Sequence, residues 1–230
     1  MKNINICYVI TGENKYVNLT LKSIKYIEKT FRSKKHNLKF FVLSEEKIKL
    51  PFYIKNIISP YKNIPLLWQR MYIPELLKVD KCIFLDSDTI TLTCISKLWE
   101  TELNNNIVAA AESHFLKPSG ENPFFSFYKL DYKPYNQIKF FYNCGVQVID
   151  CKKWVKNSIS EKMLKLYNKL LKENHFCHKM DEPVFCTILD GKIEKLDNKW
   201  NSLPVNKYPK QGIIHYYGLY SNNKPDPKFF

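Results

Sequence analysis

The sequence predicts a single α/β domain with a largely parallel sheet. Short apolar runs typical of buried strands recur along the first half of the chain, and segments with helical apolar spacing lie between them. Alternation of this kind is typical of folds in which helices cover a parallel sheet. The 230-residue chain is 45% hydrophobic, enough for one large core, and shows neither an internal repeat nor a dividing linker.

The first 60 residues predict three strands and one helix. Residues 4–11 form an apolar run that stops at Gly12, which predicts the first strand. Residues 15–31 place apolar side chains on one helical face. Residues 38–43 and 54–58 predict the next two strands. Because a helix separates the first two strands, they can pair in parallel.

The next segment predicts an interrupted helix followed by a central strand. Residues 66–79 have helical spacing, but Pro74 lies among them and predicts a break or a restart near Ile73. Residues 82–85 are wholly apolar and predict a buried strand.

The second half predicts fewer and less regular elements. Residues 113–137 are rich in proline, aromatic and polar residues, which predicts a long loop over a site. Asn-Cys-Gly at 143–145 is typical of a turn. The other predicted elements are strands at 107–111 and 146–149, a helix at 160–173, and a helix that starts at Glu182.

The chain is strongly basic. Lysine and arginine outnumber aspartate and glutamate by 36 to 22, a formal net charge of +14. Such a chain attracts anions, so a domain that binds nucleic acid or an anionic surface is kept as the non-enzyme alternative. Only Arg32 and Arg70 are arginines. Nucleic acid is therefore not the expected partner, because proteins that read bases by bidentate contacts usually carry more arginine.

The cysteines and the hydropathy predict the compartment. Seven cysteines are scattered without a C-x-x-C pair, which favours a reducing compartment over a disulfide framework. No apolar run approaches the ~20 residues that span a bilayer, and the first residues resemble a strand more than a signal peptide. We therefore expect a cytoplasmic protein, and its charge allows peripheral contact with an anionic membrane surface.

Asp86 and Asp88 follow the apolar run of the central strand, in the stretch KCIFLDSDTI. Side chains alternate along an extended chain, so both carboxylates point the same way and can reach one partner. The carboxyl end of a parallel strand faces the crevice where α/β proteins bind ligands. Two oxygen ligands there suit Mg²⁺ or Mn²⁺ bridging to a diphosphate. The plainer alternative is a polar loop start in which one aspartate caps the next segment.

The same stretch also resembles the nucleophile motif of haloacid-dehalogenase-type phosphatases. In that case Asp86 would attack phosphorus and Asp88 would act as acid and base. That family carries the motif on its first strand and needs a late acidic pair after an apolar strand. Here several predicted elements come first, and the late pair, Asp181 and Glu182, does not end an apolar strand. The phosphatase stays as the second enzyme alternative.

Further stretches resemble, in order, the motifs of family 8 glycosyltransferases, which are retaining GT-A enzymes such as glycogenin and bacterial lipopolysaccharide galactosyl- and glucosyltransferases. They are WQRMYIPELL (68–77), DKCIFLDSDTI (80–90), FYNCGVQVIDCKKW (141–154), MDEPVFCTIL (180–189), and IIHYYG (213–218) with Lys224-Pro225. The resemblance implies one Rossmann-like GT-A domain over residues 1–230, with a mixed, mainly parallel sheet flanked by helices. Residues 1–90 would bind the nucleotide, and residues 91–230 the sugar and acceptor, closing with the His215 segment.

The resemblance also implies the reaction and its residues. The enzyme would move a sugar from a UDP-hexose or UDP-N-acetylhexosamine donor to a hydroxyl of a glycan or protein acceptor. Mn²⁺ or Mg²⁺ would be held by Asp86, Asp88 and His215 and would offset the charge of the leaving diphosphate. The implied catalytic residues are Arg70, Asp181 and Glu182. The implied donor-binding residues are Thr11, Tyr16, Ser87, Asn143, Gly145, Gly218 and Lys224.

Two departures from the family pattern bear on these roles. Gly218 and Lys224 are separated by five residues, where the family commonly has two, and no tryptophan follows Pro225. Glu182 stands where the family usually has glutamine. A carboxylate at this position can act as a nucleophile or stabilise an oxocarbenium-like species, and both roles stay open.

Overall fold

The computed structural model describes residues 1–113, 141–174, 181–204 and 211–216. The strands there are β1 (Lys2–Val9), β2 (His36–Ser44), β3 (Ile54–Ile58), β4 (Lys81–Leu85), β5 (Thr89–Thr91), β6 (Val108–Glu112), β7 (Tyr142–Asp150), β8 (Ile193–Leu196) and β9 (Ile213–His215). The α-helices are α1 (Asn14–Thr30), α2 (Leu66–Gln69), α3 (Ile73–Leu77), α4 (Ser96–Trp99), α5 (Cys151–Lys156), α6 (Ile159–Lys172) and α7 (Glu182–Ile188), and 3-10 helices cover Arg70–Tyr72 and Asn198–Asn201.

Seven of these strands form one sheet in the order β3-β2-β1-β4-β7-β6-β8. Neighbouring strands pair in parallel except where β7 runs against β4 and β6. The predicted mixed, mainly parallel α/β sheet is confirmed. The interruption predicted near Ile73 is also present, because α2 passes into a 3-10 turn before α3 restarts the helix with Pro74 in its first turn.

The turn predicted at residues 143–145 is wrong. These residues belong to β7, which begins at Tyr142. Strand pairing outweighs the turn preference of asparagine and glycine here, because β7 lies between two neighbouring strands and the Asp86 N–H donates to the Gly145 carbonyl at 2.8 Å. Residues 143–145 are therefore part of one continuous extended strand instead of a turn.

Two apolar layers enclose the sheet. One face packs on α1 and α4, with Ile24, Ile27 and Leu98 buried. The other face packs on the helices that follow β3 and β7, with Trp68 and Trp154 buried. Side chains on a strand alternate between faces, so Cys82 and Phe84 of β4 pack in one layer, and Ile83 and Leu85 pack in the other. Among the helices described, none has both the length and the apolar character to cross a bilayer.

A second, two-stranded sheet joins the end of β4 to a late segment of the chain. In this sheet β5 pairs antiparallel with β9, with Thr89 opposite His215. The Tyr216 N–H donates to the Asp88 carbonyl at 3.1 Å, which continues the pairing by one step. His215 is thereby placed against the residues that directly follow β4.

Candidate active site

Asp86, Asp88 and His215 meet at the carboxyl end of β4. The His215 Nε2 atom lies 3.2 Å from Asp88 Oδ1 and 3.5 Å from Asp86 Oδ2. One ligand atom from each of the three residues lies within 4.8 Å of the other two. Two carboxylate oxygens and one imidazole nitrogen at this spacing fit a divalent cation.

Gly145 lies against this triplet from β7. A Cβ atom on Gly145 would sit 2.1 Å from His215 Cε1 and 2.8 Å from Asp86 Oδ2. Real side chains do not tolerate such distances, so any larger residue would displace the imidazole or the carboxylate. The glycine is therefore needed for close packing of the triplet.

Arg70 and Asp181 form a forked ion pair beside the triplet. Arg70 Nε pairs with one carboxylate oxygen, and Nη2 donates to the other at 3.0 Å. Arg70 Nη1 donates to the Cys144 carbonyl at 3.1 Å and lies 3.5 Å from Asp86 Oδ1. Burial disfavours the guanidinium charge, but Asp181 and Asp86 outweigh burial and raise the pKa of Arg70. The Arg70 guanidinium thus links Asp86, a predicted metal ligand, to Asp181, a predicted catalytic residue.

Glu182 begins α7 and is held by the start of β7. Its Oε1 atom accepts hydrogen bonds from Asn143 Nδ2 and, at 3.3 Å, from the Cys144 N–H. Burial and the nearby Asp181 charge raise the pKa of Glu182 to about 7, although Arg70 pulls it down. Burial likewise raises the pKa of Asp181 to about 6, against the lowering by Arg70. The carboxyl of Glu182 therefore gains or loses its proton near neutral pH.

His215 is buried with the carboxylates on one side and an amide on the other. Its Nδ1 atom lies 2.9 Å from Asn201 Oδ1, and Asn201 Nδ2 donates to Asn143 Oδ1 at 2.7 Å. Burial lowers the pKa of His215, but Asp88 and Asp86 outweigh burial and raise it above the ordinary value.

Two adjoining clefts open over these residues. The larger has a volume of about 310 Å³ and the smaller about 120 Å³. They share Leu67, Arg70 and Asp86. The larger is lined further by Val9, Ile10, Thr11, Lys15, Tyr16, Leu19, Leu66, Phe84, Ser87 and Asp88, and the smaller by Asn143, Cys144, Gly145, Asp181 and Glu182.

Comparison with known families decides what kind of protein carries this site. A family model described as Glycosyl transferase family 8 matches residues 8–225. The chain belongs to glycosyltransferase family 8.

A curated relative agrees with this assignment, and solved glycosyltransferase structures share the fold. The family 8 chain is 29% identical over 182 residues to the Arabidopsis thaliana protein named "Probable galacturonosyltransferase-like 10". This alignment covers 76% of this chain and 49% of the relative. It thus spans about half the length of this relative. A crystal structure of galactosyltransferase LgtC with donor and acceptor sugar analogues superposes with a TM-score of 0.68 at 18% identity, over 98% of this chain and 81% of that one. An active-site mutant of LgtC gives a TM-score of 0.71 at 17% identity, over 94% and 88% of the two chains.

Most residues predicted for the site of this family 8 protein lie together. Thr11, Tyr16, Arg70, Asp86, Ser87 and Asp88 line the larger cleft, and Asn143, Gly145, Asp181 and Glu182 line the smaller one. His215 lies behind the two aspartates. The predicted residues Gly218 and Lys224, and nearly all of the predicted loop at 113–137, fall outside the described residues.

Sequence reasoning missed Lys15 and Asn201. Lys15 lines the larger cleft at the start of α1. Asn201 is fully buried in a short 3-10 helix. The only sequence signal for Lys15 is its position just after the first strand, where ligand-binding loops of parallel sheets lie. Asn201 has no such signal, because its partners come from β7 and β9.

Proposed function

We propose that this family 8 protein is a metal-dependent, retaining glycosyltransferase. It transfers a sugar from a UDP-hexose or UDP-N-acetylhexosamine donor to a hydroxyl of a glycan or protein acceptor. The observation that carries the proposal is the triplet of Asp86, Asp88 and His215, in which Asp86 lines both clefts and Asp88 lines the larger one. A nucleotide in the larger cleft and a sugar in the smaller one would place the diphosphate beside these ligands.

The larger cleft has the features of a nucleotide site. Tyr16 offers an aromatic face and Thr11 a hydroxyl at the carboxyl end of the parallel sheet, where such ligands bind. Lys15 adds a second positive charge, beside that of Arg70, to a wall that also carries Asp86 and Asp88. Bound Mn²⁺ or Mg²⁺, held by Asp86, Asp88 and His215, would stabilise the negative charge that develops on the leaving diphosphate. Mn²⁺ is the preferred choice, since the imidazole nitrogen is a softer ligand than Mg²⁺ usually takes.

The smaller cleft has the features of a site for the transferred sugar. Asp181 and Glu182 offer acceptors for sugar hydroxyls, and Arg70 holds Asp181 in one orientation through its forked pair. Glu182, whose Oε1 is fixed by β7, is proposed to act near the anomeric carbon. A retaining reaction can use its carboxylate as a nucleophile or as a stabiliser of an oxocarbenium-like species.

The charge of the smaller cleft favours an uncharged sugar. Among the described residues that line it, the only basic side chain is Arg70, and its guanidinium is already engaged by Asp181. A uronate would bring a further carboxylate towards Asp181 without a second basic side chain to pair with, and like charges at short range are repulsive. The relative named as galacturonosyltransferase-like is the reason to test this point directly.

Turnover of a donor panel tests the proposal. Release of UDP and thermal stabilisation are measured with UDP-glucose, UDP-galactose, UDP-N-acetylglucosamine and UDP-galacturonic acid, each with and without Mn²⁺. We expect Mn²⁺-dependent turnover of an uncharged donor and a product that keeps its anomeric configuration by NMR. Preference for UDP-galacturonic acid would refute the uncharged-sugar proposal.

Two further readouts address the other functions. Phosphate release from a generic ester that is lost in Asp86→Asn would favour the phosphatase. Salt-sensitive oligonucleotide binding that survives alanine at Asp86 and Asp88 would favour the basic binding domain.

The predicted cytoplasmic location is also retained as a proposal. The cysteines in the described part of the chain are free thiols. The sulfur atoms of Cys82 and Cys151 lie 3.6 Å apart but are not joined by a disulfide bond. Free thiols at this distance suit a reducing compartment.

A further inference from the structure

A line of hydrogen bonds runs behind the triplet, and its direction can be read from one backbone amide. The Gly145 N–H can only donate, and it does so to Asn143 Oδ1 at 2.8 Å. That atom is therefore the amide oxygen of Asn143. The Asn201 atom that lies 2.7 Å from the same oxygen must then be the amide nitrogen.

This assignment fixes the proton on His215. With its nitrogen turned to Asn143, Asn201 presents its oxygen to His215 Nδ1 at 2.9 Å. An oxygen can only accept, so Nδ1 must carry a hydrogen. The other ring nitrogen, Nε2, faces Asp86 and Asp88.

We propose that Asn201 is a positioning residue that holds His215 in the Nδ1–H tautomer. Nε2 then presents its lone pair to a divalent cation between Asp86 and Asp88. Metal-binding histidines generally donate their second ring N–H to an acceptor that fixes both the tautomer and the ring orientation. This inference rests on the metal site of the proposed function.

The competing tautomer shows why the position of Asn201 matters. A hydrogen on Nε2 would point at Asp88 Oδ1, 3.2 Å away, and would occupy the direction that a cation needs. The buried amide disfavours that state, because Nδ1 without a hydrogen would face the Asn201 oxygen. Turning the Asn201 amide over would in turn oppose its oxygen to that of Asn143, which Gly145 holds in place.

The tautomer can be measured without donor or turnover. Imidazole ¹⁵N shifts of His215 are recorded by NMR on the unaltered protein with saturating Mg²⁺, a diamagnetic ion, because without a cation both ring nitrogens face acceptor oxygens. We expect the shift of a protonated nitrogen at Nδ1 and of an unprotonated nitrogen at Nε2. The reverse pattern would overturn the proposal. Since no turnover is involved, this result is independent of whether the protein transfers a sugar.

Metal affinity gives the second test. We expect Asn201→Ala to weaken Mn²⁺ binding about 10- to 100-fold by calorimetric titration, the usual effect of losing such a partner. Asn198→Ala, in the same 3-10 helix but exposed, is the matched control and should bind as the unaltered protein does. Unchanged affinity in a folded Asn201→Ala variant would overturn the role. If that variant does not fold, the tautomer measurement decides alone.

Discussion

Arg70 and Asp181 lie 111 residues apart in the chain and form a forked, buried ion pair. The side chains are 10% and 6% exposed. The same guanidinium reaches the Cys144 carbonyl and approaches Asp86. Arg70 therefore joins the helical turn after α2 to the end of β4, the start of β7 and the start of α7. Arg70 lines both clefts, so the geometry of both depends on how its guanidinium is held.

Replacing Arg70 should destabilise the fold more than replacing any exposed cation. We expect Arg70→Met to lower the free energy of unfolding by about 3–5 kcal/mol, since it leaves Asp181 buried without its partner. Denaturant unfolding measures the change. Arg32→Met, at the exposed arginine, is the control and should stay within about 0.5 kcal/mol. Adding Asp181→Leu to Arg70→Met should restore part of the loss, whereas simple addition of two losses would show that the pair is not coupled.

Glu182 should make stability fall as the pH rises towards neutrality. Its pKa is raised from 4.5 to about 7 in the folded state, so the folded chain holds a proton that the unfolded chain has released between these values. Stability is then greatest below the unfolded pKa and is lost as the pH passes the folded one, at no more than about 1.4 kcal/mol per pH unit. Glu182→Gln should flatten this part of the profile.

The control for this pH dependence is an exposed glutamate. Glu102→Gln should keep the profile of the unaltered protein, because Glu102 lies at the surface. Melting temperatures from pH 4 to pH 8 compare the three proteins. A Glu182→Gln profile parallel to that of the unaltered protein would contradict the assigned pKa.

Gly145→Ala should impair the proposed metal site through close contact alone. The added methyl group would meet His215 and Asp86 at distances that force one of them to move. We expect Mn²⁺ affinity to fall at least tenfold, since a ligand is displaced, and stability to fall by about 1–3 kcal/mol, as in other overpacked sites. Gly12→Ala is the control, because its methyl group would meet only Ile48, at 4.0 Å. Equal Mn²⁺ affinity in the two variants would contradict the packing argument.

Asp88→Ala should abolish Mn²⁺-dependent donor hydrolysis while leaving the protein folded. Asp88 is on a short segment between β4 and β5, and its backbone carbonyl, which pairs with Tyr216, is kept in the variant. Asp80→Ala removes an exposed carboxylate before β4 and should retain activity. UDP release and circular dichroism together check the result. Hydrolysis that persists in folded Asp88→Ala would exclude Asp88 as a required metal ligand.

Local patterns predicted most of the sheet because its strands are apolar runs bounded by breakers. The restart at Ile73 was predictable from the chemistry of Pro74 alone. The extension of β7 through Asn143 and Gly145 was not predictable in this way. Its two neighbouring strands impose an extended conformation on residues whose own preference is a turn.

The site was partly predictable for a related reason. Asp86 and Asp88 could be singled out because they directly follow an apolar strand. His215 could be singled out because the motif that contains it follows the other family motifs in the expected order. Asn201 could not be found, since it acts through contacts with Asn143 and His215 that exist only after β7 and β9 are in place. A buried asparagine and an exposed one have the same local sequence pattern.

The pairing of β5 with β9 gives the proposed metal site an order of assembly. On the ribosome Asp86 and Asp88 emerge well before His215, so the nascent chain first carries the two carboxylates of the proposed site without its imidazole. Such a half-site offers only hard oxygen ligands, which discriminate weakly among Mg²⁺, Ca²⁺ and Mn²⁺. The nitrogen ligand is added when β9 pairs with β5. Metal selectivity would therefore arise late in synthesis, with the strand that carries His215.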